Sequence, residues 1–392
     1  MKHKVTPRVV NLETSLGLLS IAVTFGCLIT AASPAHLGAQ AAMASRMRSA
    51  SLVQTFGEGD KADDAYVLSS IRSVRASASG GIYVLDAKES DVKLFSAAGR
   101  YVRSIGRHGS GPGELTGPSF RLELTEREVV VADNMLRRSV HFSLDGAHLR
   151  TVNFRSQNER DVPQNTRSVR ADWTVSISMP SIVRGNSDLF WRLTLYGPKG
   201  RSDSLGAIRS DMVDVTVHYS VGGHQALSFQ STTLGHGGAY AFYNDTLLAI
   251  ADGYTGTVRW IGFTSNGAQI RRLEQLAAAR GAPSLSDFDS IKKSLEQQWK
   301  RFDPSPSVTL TNPPPGYSVA AEALFAADGA LWIAAPATKN STRWTVFPVR
   351  GDGFVVALPS SFTLTDVRGD RLFGHGRGPD DLPLVLVYEL AR

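Results

Sequence analysis

Apolar and polar residues alternate with a period of two along most of this chain, in short runs separated by glycine-bearing turns. The clearest stretch is 80–115. It contains the apolar run Ile82–Asp86 and the alternating runs Val92–Phe95 and Tyr101–Ile105. Runs of this length between glycines are typical of antiparallel strands with one buried face. The pattern therefore predicts an all-β chain.

One short element recurs along the chain, an aromatic residue followed four positions later by glycine. Its five copies lie between alternating runs, at Phe95 and Gly99, Phe142 and Gly146, Tyr196 and Gly200, Phe263 and Gly267, and Phe347 and Gly351. The aromatic side chain suits a strand end that faces a core, and glycine suits the positive φ of a hairpin turn. Five copies predict a repeated β unit.

Aspartates close three of the apolar strands. Asp86, Asp133 and Asp252 end the runs IYVLD, VVVAD and LAIAD. A carboxylate at a strand end can accept backbone N–H groups in a turn, and it can also bind a metal ion. We favour the turn role.

The stretch 80–115 resembles an NHL-type β-propeller repeat. The resemblance rests on Ile82–Asp86, on Phe95 with Gly99, and on the connector Gly106–Leu115, and it implies a blade of four antiparallel strands. Most of 52–390 is also similar to exported bacterial six-bladed propellers, through a helical insert and the motif Gly329-Ala330-Leu331-Trp332. That group has no common activity, so the resemblance implies a fold more than a function.

The repeats predict one propeller domain over 42–392. Its six blades are predicted at about 66–107, 117–154, 169–208, 227–273, 319–358 and 362–390. The last unit has only about three strands, and a closed ring must hide its edges. We therefore predict that the spare strand 51–56 completes the last blade. The fold class is an all-β, six-bladed β-propeller of four-stranded antiparallel blades.

A helix is predicted between blades four and five, over about 284–302. Phe288, Ile291, Leu295, Trp299 and Phe302 fall on one apolar stripe at helical spacing. The insertion is too short to be a domain. It is either a strut packed on one propeller face or a lid beside the channel mouth, and we favour the strut.

The N-terminus has the pattern of an export signal. Lys2, Lys4 and Arg8 precede the uncharged, mostly apolar stretch 16–32, and an A-x-A cleavage site ends at Ala41. We predict a signal peptide over 1–41 and a periplasmic or extracellular protein. The alternatives are an uncleaved membrane anchor and, less favoured, a lipoprotein attached through Cys27.

Cleavage after residue 41 would remove the only cysteine and lower the net charge from +6 to +4. The mature chain would then have no disulfide and no thiol ligand. Its basic residues are scattered rather than clustered, so we predict no nucleic-acid partner. We expect no membrane span after cleavage, and a monomer.

No motif for catalysis stands out in the sequence. Gly106–Gly113 lacks the ending of a phosphate-binding loop, and there is neither a His-x-x-x-His pair nor a G-x-S-x-G sequence. His141 is interpreted as a blade-surface residue, and Asp380 with Asp381 as a solvated turn. We predict no cofactor, and nothing in the sequence supports calcium or zinc.

Propellers bind ligands where the inner strands surround the central channel. Five polar residues lie on or near the predicted inner strands: Arg72, Arg121, Arg167, His236 and Glu322. Arginines with an occasional acid suit a polar or anionic ligand, a glycan or a protein. The alternative for the arginines is a purely structural role, in which they hydrogen-bond to strand ends.

Because no motif for catalysis stands out, the sequence predicts a binding or scaffold module without catalysis. The alternative is a metal-dependent lyase or hydrolase with its site at the mouth of the channel. An enzyme of that kind needs three or more His, Asp or Glu side chains that converge on one point.

Overall fold

The computed structural model describes residues 46–57, 67–116, 120–133, 136–153, 163–169, 173–178, 190–197, 200–210, 212–221, 224–233, 237–276, 285–311 and 318–391. The predicted signal peptide, 1–41, lies outside these ranges, and so does His236.

The described chain is almost entirely β-structure. The first sixteen strands are β1 (Met47–Arg48), β2 (Ala50–Phe56), β3 (Ile71–Ala76), β4 (Ile82–Asp86), β5 (Asp91–Phe95), β6 (Tyr101–Ile105), β7 (Arg107–His108), β8 (Glu114–Leu115), β9 (Phe120–Leu124), β10 (Glu128–Asp133), β11 (Arg138–Ser143), β12 (His148–Asn153), β13 (Pro163–Val169), β14 (Trp173–Ser178), β15 (Phe190–Tyr196) and β16 (Ser202–Arg209).

The second part of the chain contains the one described helix. Its elements are β17 (Met212–Val221), β18 (His224–Thr233), β19 (Gly238–Tyr243), β20 (Leu247–Asp252), β21 (Thr257–Thr264), β22 (Gly267–Gln275), α1 (Leu285–Trp299), β23 (Ser307–Thr311), β24 (Glu322–Phe325), β25 (Leu331–Ala334), β26 (Ser341–Phe347), β27 (Phe354–Pro359), β28 (Thr363–Arg368), β29 (Arg371–Arg377) and β30 (Pro383–Leu390).

Six sheets, each with four antiparallel strands, form the body of the protein. Blades 1 to 4 are β3–β6, β9–β12, β13–β16 and β19–β22. Blade 5 is β24–β27, and blade 6 is β28–β30 with β2. In blades 1 to 5 the strands follow one another in chain order, and the first strands of blades 1 and 2, 4 and 5, 5 and 6, and 6 and 1 contact each other. The chain is a six-bladed β-propeller, which confirms the predicted fold class.

The N-terminal segment joins the end of the chain in the last blade. Strand β2 pairs antiparallel with β30, so Ala50–Phe56 supplies the strand that the C-terminal unit lacks. Strand β1 pairs parallel with β27 of blade 5. Arg48 donates to the carbonyl of Ala391 over 2.6 and 3.1 Å. One short segment therefore connects blades 5 and 6.

The repeated aromatic and glycine markers have the roles that their chemistry suggests. Phe95 and Phe142 are buried between blades, while Gly99 and Gly146 have φ values of 76° and 98°. Side chains with a Cβ rarely adopt this conformation. The strand-end Asp86 is fully buried and accepts N–H groups, as the turn role requires.

The predicted boundary of blade four was wrong. The proposed unit 227–273 begins inside β18, which belongs to a separate three-stranded sheet in the order β18–β17–β23, and blade 4 itself is β19–β22. The alternation of Met212–Val221 and His224–Thr233 is that of ordinary strands, so the pattern alone does not separate them from a blade.

The helix after blade 4 was correctly predicted and packs on this extra sheet. Leu295 and Trp299 of α1 contact the buried cluster of Val215, Val217 and Val308. Phe302, the last residue of the predicted stripe, is exposed. In the part of the chain that the structure describes, no helix is long and apolar enough to cross a membrane.

The apolar core is divided among the junctions between blades. Separate clusters of buried side chains join blades 1 and 2, 3 and 4, 4 and 5, 5 and 6, and 6 and 1. Among the described residues, the clusters include none that joins blades 2 and 3. That junction carries the ion pair of Arg167 with Glu123.

Candidate functional site

The first strands of the six blades surround the centre of the propeller. A side-chain hydroxyl connects two of these strands across the boundary between blades 6 and 1. Thr365 Oγ1 on β28 donates to the carbonyl of Val74 over 2.9 Å and accepts from the N–H of Val74 over 3.0 Å. Polar side chains on these inner strands therefore converge from several blades on one region.

Strand β9 carries two charged side chains on one face, the predicted site residue Arg121 and Glu123, which was not predicted. Arg121 and Glu123 are two residues apart, and Leu122 between them is fully buried on the opposite face. The Nε of Arg121 lies 2.9 Å from Glu123 Oε1. Arg167 on β13 donates from Nη1 to the same oxygen over 2.9 Å. Glu123 therefore joins the guanidinium groups of blades 2 and 3.

A third arginine connects the inner strands of blades 6, 1 and 2. Arg75 on β3 donates from Nε to the carbonyl of Leu122 over 3.2 Å and from Nη1 to the carbonyl of Thr365. Its Nη1 also lies 3.6 Å from the carboxylate of Asp366. Three guanidinium groups and the carboxylates of Glu123 and Asp366 thus meet around the channel wall.

The charges shift one another's protonation equilibria. Burial opposes ionisation of Glu123, but the positive charges of Arg121, Arg167 and Arg75 outweigh it and hold the pKa of Glu123 below its ordinary value. Burial lowers the pKa of Arg167, Glu123 raises it, and Arg121 and Arg75 lower it further. Asp245 raises it, and the net shift of the Arg167 pKa is downward because burial is the largest cause.

The guanidinium of Arg167 is also braced by an aromatic ring. It lies over Phe242 of blade 4 with 4.9 Å between the guanidinium carbon and the ring centroid. Side chains of Arg75, Arg121 and Arg167 remain 26%, 28% and 18% exposed. The group is therefore both fixed in place and reachable by solvent.

The other predicted site residues lie apart from this arginine group. Arg72 is exposed near the start of β3, where burial and the charge of Arg72 together lower the pKa of His375. Glu322 begins β24 of blade 5, on the opposite side of the ring from β9, and is exposed. His236 lies outside the described residues.

The strand-end aspartates are engaged in turns. Asp86 accepts from the N–H groups of Ser69 and Ser70 over 2.6 and 3.0 Å, and Asp252 accepts from that of Tyr254 over 2.9 Å. Within the described ranges, no group of three or more His, Cys, Asp or Glu side chains is arranged to hold a metal ion.

The carboxylate of Glu114 hydrogen-bonds within its own glycine-rich connector, Gly106–Leu115. Glu114 accepts from the N–H of Gly111 over 2.8 Å and from Arg107 over 2.9 Å. The buried Arg138 donates to the carbonyls of Ser110 and Glu114, both over 2.7 Å. These contacts fix the loop as the passage from blade 1 to blade 2, in agreement with its predicted structural role.

A family model described as a six-bladed β-propeller, DUF5128, matches residues 61–166, the span of the first two blades. Similar solved structures include a Bacteroides fragilis protein described as exported, with 11% identity over 88% of this chain and 96% of that one and a TM-score of 0.48. A member of the DUF4221 family from Bacteroides vulgatus has 14% identity over 88% and 99%, with a TM-score of 0.47.

Virginiamycin B lyase from Staphylococcus aureus has 10% identity over 87% of this chain and 100% of that one, with a TM-score of 0.40. No curated protein matches the chain. At these identities and scores, the similar structures carry no argument about activity.

The sequence placed Arg121 and Arg167 near the channel but missed the residues that join them. Glu123 had a usable signal, because a residue two positions after Arg121 on a strand shares its face. Arg75 was harder to predict from the sequence. The pairing of β3 is irregular between Ile71 and Ser73, so alternation counted from Arg72 does not show which face Arg75 occupies.

Proposed function

We propose that this chain is a binding module that holds an anionic ligand at the channel wall formed by Arg75, Arg121 and Arg167. The observation that carries the proposal is the meeting of Arg121 and Arg167 at one oxygen of Glu123, with Arg75 close enough to lower the pKa of that carboxyl. Asp366 lies beside Arg75, and Asp245 is close enough to Arg167 to raise its pKa. A carboxylate or phosphate group on a ligand would find donors that are already positioned.

Arginine is well suited to this role. Its planar group donates two parallel hydrogen bonds to a carboxylate or phosphate, and it loses little freedom when it is already fixed by neighbours. Arg167 is fixed by Glu123 and by the ring of Phe242. The proposed ligand is therefore a small anion or an acidic glycan that enters the channel.

The remaining features of the proposal come from the sequence. We propose that the protein is exported after removal of 1–41, that the first blade is of NHL type, and that the chain acts as a monomeric binding or scaffold module. The absence of catalysis stays a prediction.

Calorimetric titration of the full mature chain with citrate and with inorganic phosphate tests the site. Arg167→Gln should weaken citrate binding about tenfold or more, because a hydrogen bond to a charged group contributes about 1.5–3 kcal/mol. Glu123→Gln keeps the side-chain size but removes the competing negative charge. Glu123→Gln should therefore strengthen citrate binding, whereas Arg167→Gln weakens it.

Two controls separate the site from general charge effects. Arg377→Gln removes an exposed arginine that pairs with Asp381 in a loop, and it should bind citrate like the native chain. Glucose should give no heat above dilution. Equal citrate affinities for the native, Arg121→Gln and Arg167→Gln proteins would contradict the proposal, provided that melting curves show all three to be folded.

A further inference from the structure

The junction between blades 2 and 3 differs chemically from the others. On β11, Val140 and Phe142 are buried against blade 1, so the alternate side chains of Ser139 and His141 project from the opposite face of the blade. In a propeller that face is turned toward the next blade. Among the described residues, the apolar clusters that fill the other five junctions are absent from this one.

Four polar side chains on this face form one connected network. Ser139 Oγ lies 3.0 Å from His141 Nε2, and His141 Nδ1 lies 2.9 Å from Glu128 Oε2 on the neighbouring strand β10. Arg150 on β12 holds the Glu128 carboxylate at both oxygens, over 2.7 and 2.8 Å. Ser139 is half-buried, and the side chains of His141 and Glu128 are 15% and 23% exposed.

The contact with Glu128 favours a proton on Nδ1 of His141. Arg150 Nη2 is 2.8 Å from Glu128 Oε2 and 3.0 Å from His141 Nδ1, so these three atoms form a triangle. A carboxylate oxygen only accepts, so the contact of His141 Nδ1 with Glu128 Oε2 requires a proton on Nδ1. In a neutral imidazole, Nε2 then carries no proton and can accept the hydroxyl proton of Ser139.

We propose that Ser139 is a nucleophile activated by His141 and oriented through Glu128, and that its substrates are small esters reaching the junction between blades 2 and 3. The order of contacts, hydroxyl to imidazole to carboxylate, is the arrangement that activates serine in unrelated folds. This inference does not rest on the anion site in the channel.

The proposed reaction transfers an acyl group in two balanced steps. Ser139 Oγ bonds to the acyl carbon while its proton passes to His141 Nε2, the bond to the alcohol oxygen breaks, and the alcohol leaves with that proton. Water then attacks the acyl-serine ester with His141 again as the base, which releases a carboxylic acid and restores the serine. Neither step needs a metal or a redox partner.

Arg150 has a positioning role in this scheme. Its two hydrogen bonds hold Glu128 as a carboxylate in one orientation, and Glu128 in turn fixes the ring and tautomer of His141. In this proposal His141 acts as a base, rather than only as a blade-surface residue. The i and i+2 spacing of Ser139 and His141 was visible in the sequence, but the position of Glu128 depends on the pairing of β10 with β11.

The test uses a fluorophosphonate probe, which phosphonylates activated serines, with the site located by peptide mass mapping of the full chain. We expect one adduct, on Ser139. Because a positioned base contributes about 10²–10⁴-fold, His141→Gln should slow the labelling about 100-fold or more. Glu128→Gln should slow it less, and Ser139→Ala should abolish it.

Ser143→Ala is the matched control, since Ser143 lies on the same strand and donates to Asp145 instead of an imidazole. It should label like the native chain. The native adduct is mapped directly, so the result does not depend on a variant that folds poorly. No adduct on Ser139, or equal labelling rates in the native and folded His141→Gln proteins, would overturn the proposal.

Discussion

Glu128 shows how hydrogen bonds set the chemistry of one residue in this protein. The hydrogen bonds from Arg150 and then from His141 outweigh the effect of burial and lower the pKa of Glu128 from its ordinary value of 4.5 to about 2. A carboxyl whose pKa is lower in the folded state stabilises the fold above its unfolded pKa, and that contribution is lost as the pH falls through the folded pKa. The relevant window is therefore about pH 4.5 down to about pH 2.

Glu128→Gln should accordingly lower the melting temperature at pH 7 by about 1–3 °C, after allowance for screening by water. At pH 3 the difference from the native protein should be smaller, because the carboxyl of the unfolded chain is then mostly protonated while the folded one is still ionised. Thermal melts at both pH values check this. Glu126→Gln, on the exposed turn before β10, should change neither melt. A difference that stays the same at pH 3 would contradict the assignment.

Residue positions on a single strand were accessible from the sequence, whereas contacts between strands were not. Alternation is sufficient to place Arg121 beside Glu123, or Ser139 beside His141, on one face. The meeting of Arg167 with Glu123 depends on how two blades are placed, and the contact of Glu128 with His141 depends on strand register. A one-residue change of register would turn either side chain to the other face.

At the scale of elements, strand β2 connects the two ends of the chain. Phe56, its last residue, packs on the cluster that joins blades 6 and 1 and lies 5.1 Å from Phe95 between ring centroids. Val53 on the same strand is exposed. Strand β2 therefore offers a matched pair for mutation, the packed Phe56 and the exposed Val53.

Phe56→Ala should destabilise the protein by about 2 kcal/mol, less than a fully buried phenylalanine would, because the ring is only half-buried. Val53→Ala, the control, should cost no more than about 0.5 kcal/mol. Chemical denaturation of both variants beside the native protein measures the two values. Similar losses of unfolding free energy for the two substitutions would show that β2 does not stabilise the propeller through the packing of Phe56.

Element prediction succeeded where glycine turns bracket short alternating runs, as in β4–β6 and β10–β12. It failed at the extra sheet. Strands β17 and β18 precede blade 4, but their partner β23 follows α1 more than seventy residues later. Local alternation contains no information about a partner at that distance, so the predicted blade four wrongly included most of β18 and left β17 outside every blade.

At the scale of the whole molecule, the ring is unevenly held together. Five junctions bury apolar clusters, while the described contacts between blades 2 and 3 include the ion pair of Arg167 with Glu123. Partly exposed ion pairs contribute little stability compared with apolar burial. Local opening should therefore require less free energy at this junction than at the others.

Hydrogen exchange followed by mass spectrometry should reveal this difference. Peptides that cover β9 and β13 should exchange faster than those covering β24, whose Leu324 and Phe325 pack into clusters on both sides. Raising the salt to about 1 M shortens the screening length to about 3 Å. It should speed exchange in β9 and β13 more than in β24, because a charge pair is weakened and apolar packing is not. Equal protection of the three strands at both salt concentrations would mean that the junction between blades 2 and 3 is as firmly closed as the rest. Opening of this junction would then give small esters no special access to Ser139.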